Sequence, residues 1–252
     1  MRKDSSPSPA TSRSISPLSP TRLANLDQLW RQRAQSAESV ADSVDAVRAT
    51  LAATGHTDDT LIIVTSDNGY HAGAHRLSKG KRTAFREDTV VPMVVLGPGI
   101  TPGVRVDAMT STIDLGPTIA SALGATAPAW VDGRSLTDIL TSGGQVPPTW
   151  RNAVISESMG TSGPGDPDYQ AQAPPQFTAL RSQDYLFVVY RNGERELYDL
   201  HADPNEMNNI ASTADPALVA GLYSQLQAMR ACAGDTCRTA DSLVVPTATT
   251  AS

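Results

Sequence analysis

Residues 61–76 read LIIVTSDNGYHAGAHR, an apolar run that leads directly into a polar loop with two histidines. The run 61–64 is apolar at every position and mostly β-branched, which predicts a strand buried on both faces of a parallel sheet. A second run of this kind spans residues 90–96. Ligand sites of α/β sheets lie at the carboxyl ends of the strands. The polar loop between the two runs is therefore the first candidate for a functional site.

Asp67 and Asn68 follow the first predicted strand, and Gly69 allows the backbone to turn sharply after them. Carboxylate and amide oxygens are hard donors that suit Ca²⁺ or Mg²⁺. These residues taken locally leave two interpretations open, a metal site and a plain Asp-Asn-Gly turn.

The same loop continues with positive charge at Lys79, Lys81 and Arg82. A cluster of this kind suits a tetrahedral anion, and a solvated basic loop is the alternative. His71 and His75 are candidates for proton transfer or anion contact, with a surface or packing role as the alternative for each.

The composition excludes several classes of function. The chain has 252 residues, of which 40% are hydrophobic, and a net charge of −6. That charge argues against a nucleic-acid partner, because such proteins usually carry a basic face. No apolar stretch reaches the roughly 18 residues that predict a membrane span. Arg2 and Lys3 precede no apolar run, so we expect no secretory signal in these residues.

Cys232 and Cys237 are the two cysteines of the chain, on either side of a Gly-Asp turn. They suit a small disulfide loop, with two free thiols as the alternative. A metal site made by this pair alone is not expected, because structural zinc takes four ligands. A disulfide would indicate an oxidising compartment.

The chain divides by composition and periodicity. The first residues are rich in Ser and Pro, which predicts disorder. Apolar residues from Leu26 to Leu51 recur at helical spacing and are followed by Gly55, which predicts a helix with a glycine cap. The Asn192-Gly193 pair predicts a tight hairpin in a small antiparallel sheet.

A helix at residues 216–229 is expected to pack on that sheet. We predict the following boundaries: a disordered segment at 1–22, an α/β domain with the polar loop at 23–150, a small α+β subdomain at 151–238, and a disordered tail at 239–252.

The string TSDNGYHAGAHRLSKGKRTAFRED, followed by VPMVVLGPGI, resembles the second signature region of the sulfatases of the alkaline-phosphatase superfamily. It is closest in pattern to the glucosamine-6-sulfatase-like members. The strings IDLGPTI, DGRSL and ELYDLHADPNEMNNI agree in order and spacing. The resemblance covers roughly residues 24–238 and indicates the carboxyl-terminal half of such a protein.

This resemblance implies an α/β fold: a partial alkaline-phosphatase-like sandwich, with a parallel-type sheet flanked by helices, and a small carboxyl-terminal antiparallel sheet with a packed helix. It implies that Asp67 and Asn68 are Ca²⁺ ligands and that Lys81 contacts the sulfate. His71 and His75 receive from it only a candidate catalytic role. The implied activity is that of a sulfuric ester hydrolase acting on a sulfated small molecule or glycan, in an extracellular or periplasmic location.

The family nucleophile is a formylglycine made from the first residue of a C-x-P-x-R or S-x-P-x-R motif, and neither motif occurs here. The family's acidic pair near the amino terminus also has no counterpart. Asp67 and Asn68 offer about three of the six to eight oxygens that Ca²⁺ takes. We therefore expect a truncated chain that is inactive alone, with a missing amino-terminal half as a partner.

Two alternatives stand beside this reading. The first is a phosphate or phosphonate ester hydrolase of the same superfamily, and the second is a non-catalytic module that binds a sulfated sugar or completes another chain. Arg86 and Val90 depart from the family pattern, which commonly has an acidic or neutral residue and an arginine there.

Overall fold

The computed structural model describes residues 16–77, 79–159 and 174–243. Its helices are α1 (Pro20–Thr54), α2 (Arg86–Thr89), α3 (Leu115–Ala122), α4 (Thr137–Thr141), α5 (Pro216–Ala231) and α6 (Asp235–Ala240), with short 3-10 turns at Ala74–Arg76 and Thr112–Asp114. Its strands are β1 (Ile62–Thr65), β2 (His71–Ala72), β3 (Lys79–Gly80), β4 (Met93–Leu96), β5 (Ala153–Ser158), β6 (Phe177–Ser182), β7 (Tyr185–Tyr190) and β8 (Arg195–Asp199). No helix within these ranges has both the length and the apolar character needed to cross a membrane.

Helix α1 ends at the glycine cap that its sequence predicts and begins earlier than Leu26. Ser19 caps the amino end by accepting a hydrogen bond from the Arg22 N–H, and Gly55 ends the helix in the left-handed region at φ 76°. No residue of α1 is buried. The helix takes in the last residues of the predicted disordered segment 1–22, whose first fifteen residues lie outside the described part of the chain.

The pairing of β1 with β4 corrects the expected parallel sheet. The two strands are antiparallel, with Ile62 opposite Leu96 and Thr65 opposite Met93, and every strand pair in the described ranges is antiparallel. A parallel pair needs a crossover on one face of the sheet. The chain between these strands instead returns through a hairpin loop and the four-residue helix α2.

The expected burial of β1 on both faces is also wrong. Its residues are half-buried and Thr65 is exposed, while Val94 and Leu96 of β4 are 54% and 37% exposed. The uniform apolar character of the run 61–64 therefore does not reflect cover on both faces within the described residues.

The carboxyl-terminal sheet has the order β5-β6-β7-β8 and is antiparallel throughout, which confirms the small antiparallel sheet. The β7–β8 hairpin turns at Asn192-Gly193, where Gly193 has φ 88°. Helix α5 packs on one face of this sheet. The shared core contains Leu180, Phe187, Leu197, Leu218, Leu222 and Leu226, each at most 2% exposed.

The opposite face of the sheet packs against the segment that follows the polar loop. Ala84 and Phe85 are buried there, and the Phe85 ring meets the Tyr198 ring edge-on with centroids 6.0 Å apart. The Tyr198 hydroxyl donates to the buried Glu196 carboxylate. Burial, reinforced by that carboxylate, raises the pKa of Tyr198. The sheet is thus the middle layer between α5 and the loop segment.

A buried ionic cluster ties the central segments together. Arg151 makes two hydrogen bonds to the Asp114 carboxylate, at 2.6 and 2.8 Å. Arg134 and Arg151 both contact Asp241 just after α6. The disulfide Cys232–Cys237 joins the end of α5 to α6, so the two cysteines are paired and are not free thiols.

Because the sheet is covered on both faces, substitution of a core leucine should destabilise the fold far more than substitution of a surface leucine. Leu222→Ala in α5 should lower the free energy of unfolding by about 2–5 kcal/mol, because Leu222 is 1% exposed and its loss leaves a cavity. Leu23→Ala in α1, at a site 48% exposed, should change it by less than about 0.5 kcal/mol. Urea unfolding followed by circular dichroism measures both; equal losses would contradict this description of the core.

Candidate functional site

Asp67 and Asn68 lie directly after β1, as the sequence predicts. The Asp67 carboxylate accepts the Asn68 N–H at 2.8 Å, and the Ser66 hydroxyl donates to the Asn68 carbonyl at 2.9 Å. The Asn68 amide nitrogen donates to the Gly69 carbonyl at 2.8 Å. The Asn68 amide nitrogen is thus engaged by the backbone, and the amide oxygen is oriented towards other contacts.

Lys81 reaches that oxygen. Its ammonium nitrogen lies 3.5 Å from the Asn68 Oδ1 atom. The short pairing of β2 with β3, with His71 opposite Gly80, turns the loop into a hairpin that brings Lys81 back beside the strand end. An amide oxygen of the kind that binds metal ions and an ammonium of the kind that binds anions are therefore in contact.

Helix α2 holds the loop from the other side. The Gly69 N–H donates to the Asp88 carbonyl at 2.9 Å and the Tyr70 N–H to the Glu87 carbonyl at 2.6 Å. A Cβ atom at position 69 would collide with that Glu87 carbonyl. Gly69 is required by this close approach between two backbones, and its φ is not in the left-handed region.

His71 is buried at 3% exposure, and its Nδ1 atom lies 2.9 Å from both carboxylate oxygens of Asp88. The same carboxylate accepts the Thr83 N–H at 2.8 Å and the Thr83 hydroxyl at 2.6 Å. The imidazole is thus paired within a buried network that joins the two sides of the loop.

His75 is also buried, at 6% exposure, with a left-handed φ of 51°. Its ring stacks on Phe85 with centroids 3.6 Å apart, and its Nε2 atom lies 3.7 Å from Glu87 Oε2. Desolvation by burial opposes ionisation of Glu87, but the nearby His75 imidazole, a backbone hydrogen bond and the Arg86 charge together outweigh it and lower the pKa of that carboxyl. His75, Glu87 and Glu206 can each offer a ligand atom within 4.8 Å of the others, a group that could hold a metal ion.

A cavity of about 490 Å³ opens beside the strand end. Its walls include Asp67, Asn68, Asp88, Glu157 and Arg181. Lys81, His71 and His75 are not among its lining residues, although Lys81 touches Asn68.

Sequence reasoning did not single out four residues of this region: Glu87, Asp88, Arg181 and Glu206. Asp88 ends the sulfatase-like string, and Glu206 stands within ELYDLHADPNEMNNI, so the motifs contained both without giving them a role. Arg181 contacts Glu206 at 2.7 Å across separate elements. No local pattern marks that arginine.

Comparison with known proteins identifies the family of this chain. Residues 3–125 match the sequence model of the Sulfatase family, and residues 73–232 match the model described as N-sulphoglucosamine sulphohydrolase, C-terminal. The chain is 33% identical over 247 residues to N-acetylglucosamine-6-sulfatase of Homo sapiens, covering 88% of this chain and 44% of that protein. It is 32% identical over 258 residues to an arylsulfatase of Volvox carteri, covering 93% of this chain and 39% of that protein.

Two solved structures are similar to the fold. One, described as a complex with its substrate D-glucosamine-2-N,6-O-disulfate, aligns with a TM-score of 0.68 at 26% identity, over 80% of this chain and 39% of its own. The other is the phosphonate monoester hydrolase of Silicibacter pomeroyi, with a TM-score of 0.60 at 35% identity, over 74% of this chain and 37% of its own.

The fold and the matched regions define an α/β protein of the alkaline-phosphatase superfamily. Within that class, the chain belongs to the sulfatase family. It spans less than half the length of the curated relatives described above.

The contact of Gly69 with α2 predicts the effect of one added methyl group. Gly69→Ala should cost at least about 2 kcal/mol of folding free energy, because the Cβ atom must displace the Glu87 carbonyl. Gly116→Ala in α3, where the Cβ atom meets nothing within 4 Å beyond its chain neighbours and its own helix backbone, should change the folding free energy by less than about 1 kcal/mol. Denaturant unfolding of the two variants checks this contrast, and a harmless Gly69→Ala would show that the loop is not held as described.

Proposed function

We propose that this chain supplies the metal-binding and sulfate-binding part of a sulfuric ester hydrolase. The observation that carries the proposal is the contact of the Lys81 ammonium with the Asn68 amide oxygen, next to Asp67 at the end of β1. It joins, in one place, the two kinds of group that a metal-assisted reaction on a sulfate ester needs: oxygen ligands and a hydrogen-bonding cation.

Asp67 and Asn68 would hold Ca²⁺ in this proposal. Their donor set fits that ion, because both offer hard oxygens and the Asn68 amide is already oriented by its bond to the Gly69 carbonyl. When bound, the ion would supply positive charge that stabilises the negative oxygens of the ester. The Lys81 ammonium would donate hydrogen bonds to a sulfate oxygen.

Neither histidine is proposed to act directly on a substrate. The His71 imidazole is paired with a buried carboxylate, which favours a positioning role for it over proton transfer to a substrate. His75 stacks on Phe85 and has little exposure, which also speaks against contact with a substrate.

The nucleophile must come from residues other than these 252. Cys232 and Cys237 pair with each other, and neither begins a C-x-P-x-R motif. Two residues also leave about half of a calcium shell to other ligands. We infer that a further sulfatase segment, of the kind that the longer relatives contain, supplies both, and that this chain alone is inactive.

The proposed substrate class is a sulfated sugar. N-acetylglucosamine-6-sulfatases stand among the relatives, and one similar structure is described with a disulfated glucosamine as its substrate. A phosphonate ester is the second candidate substrate. The phosphonate monoester hydrolase is 35% identical to this chain, whereas the structure with the disulfated glucosamine is 26% identical. The disulfide Cys232–Cys237 supports an extracellular or periplasmic location, where disulfides persist.

Turnover tests the proposed incompleteness. The purified chain should hydrolyse an aryl sulfate or an aryl phosphonate no faster than buffer in a spectrophotometric assay, because it lacks a nucleophile. Turnover that survives a second purification and disappears in Lys81→Ala would contradict this prediction.

Calcium titration tests the site. By calorimetry, the chain should bind Ca²⁺ with at best millimolar affinity, and Asp67→Asn should abolish that binding. Lys81→Met should tighten it by up to about thirtyfold, because the +1 charge of the ammonium and the +2 charge of Ca²⁺ repel by about 2 kcal/mol at 4 Å in water. Asp58→Asn, on an exposed aspartate outside the loop, is the control and should change nothing. Micromolar affinity in the unmodified chain, or weaker binding in Lys81→Met, would contradict the assigned arrangement.

A further inference from the structure

A second group of ligand-type side chains lies apart from the strand end. It consists of His75, Glu87 and Glu206, with ligand atoms no more than 4.8 Å from one another. The His75 side chain is 2% exposed, and its Nδ1 atom has no hydrogen-bond partner among the described residues. Glu87 Oε2 is buried and likewise has no hydrogen-bond partner there. A buried carboxylate oxygen such as Glu87 Oε2 is costly unless something satisfies it.

The distance between the two side chains suits a shared ion. The 3.7 Å from His75 Nε2 to Glu87 Oε2 is too long for a hydrogen bond. Zinc lies about 2.0–2.2 Å from imidazole nitrogen and carboxylate oxygen, so two ligands of one tetrahedral ion lie roughly 3.3–3.5 Å apart. A small movement of the partly exposed Glu87 side chain would reach that spacing.

Glu206 completes the group from the carboxyl-terminal part of the chain. It is fully buried, and its two oxygens accept from the Arg86 N–H at 2.9 Å and from Arg181 at 2.7 Å. Metal-ligating carboxylates are usually oriented by such outer hydrogen bonds.

We propose that His75, Glu87 and Glu206 form a second cation site that takes a transition metal of the zinc class. An imidazole with carboxylates favours such metals, whereas Ca²⁺ prefers oxygen ligands throughout. The site joins the loop to the carboxyl-terminal sheet, because Glu206 follows β8 and His75 stacks on Phe85 against that sheet. A metal there links the two regions and stabilises the fold.

Zinc titration of the full chain, freed of metal with a chelator, tests the proposal. Calorimetry should show one Zn²⁺ per chain with micromolar affinity, and thermal unfolding should show a higher Tm with Zn²⁺. Loss of an outer-shell partner costs 10–100-fold in affinity, so Glu87→Gln, which removes a ligand charge without changing shape, should weaken binding at least about tenfold. His75→Asn, which keeps a residue that tolerates the left-handed backbone, should do the same.

Matched controls separate this site from others. His201→Gln removes an exposed histidine that contacts Asp184, and it should leave zinc affinity unchanged. Asp67→Asn should also leave it unchanged, since the strand end is a different site. The proposal is overturned if the chain binds no zinc, if Glu87→Gln binds zinc as the unmodified chain does, or if zinc binding is lost in Asp67→Asn or His201→Gln.

Discussion

The packing of Phe85 against the carboxyl-terminal sheet is the contact on which the candidate site depends. Phe85 is 3% exposed, meets Tyr198 of the sheet on one side and stacks on His75 on the other. The next residues form α2, whose carbonyls hold Gly69 and Tyr70. A buried aromatic ring thus fixes the backbone that directly follows the proposed calcium ligands. Glu206 reinforces it by accepting the Arg86 N–H at the first turn of α2, where a negative charge is favourable.

This arrangement also explains why an antiparallel sheet carries continuous apolar runs. Strands with one solvated face alternate apolar and polar residues. In β7, Leu186, Phe187 and Val188 are each at most 1% exposed, because α5 covers one face and the Phe85 segment covers the other. The run 61–64 has the same composition but remains half-buried. An apolar run therefore shows that both faces can be covered, and only the fold shows whether they are.

Features set by neighbouring residues were predictable from the sequence, and those set by distant ones were not. The Gly55 cap, the Asn192-Gly193 turn and the position of Asp67 after a strand all depend on a few adjacent residues. The pairing of β1 with β4 depends on how the intervening loop returns. The hydrogen bond from the Arg86 N–H to Glu206 joins residues 120 positions apart, and neither residue carries a local signal for it. The sequence shows that the loop contains two histidines, but it does not show that both side chains are buried.

The proposed need for another segment and the exposed apolar surface are physically connected. Asp67 is exposed at the end of β1, and Val94 and Leu96 are exposed on the paired strand. Trp30 of α1 is 48% exposed, although its indole donates to the carbonyl of Ala72 in the loop. A segment that brought further oxygens to Asp67 would have to lie near this strand end, where it could cover those side chains. Burial of apolar surface contributes about 25 cal/mol per Å², so docking and completion of the calcium shell would stabilise each other. In this proposal, the weak metal affinity expected of the chain alone and the exposure of its strands have one cause.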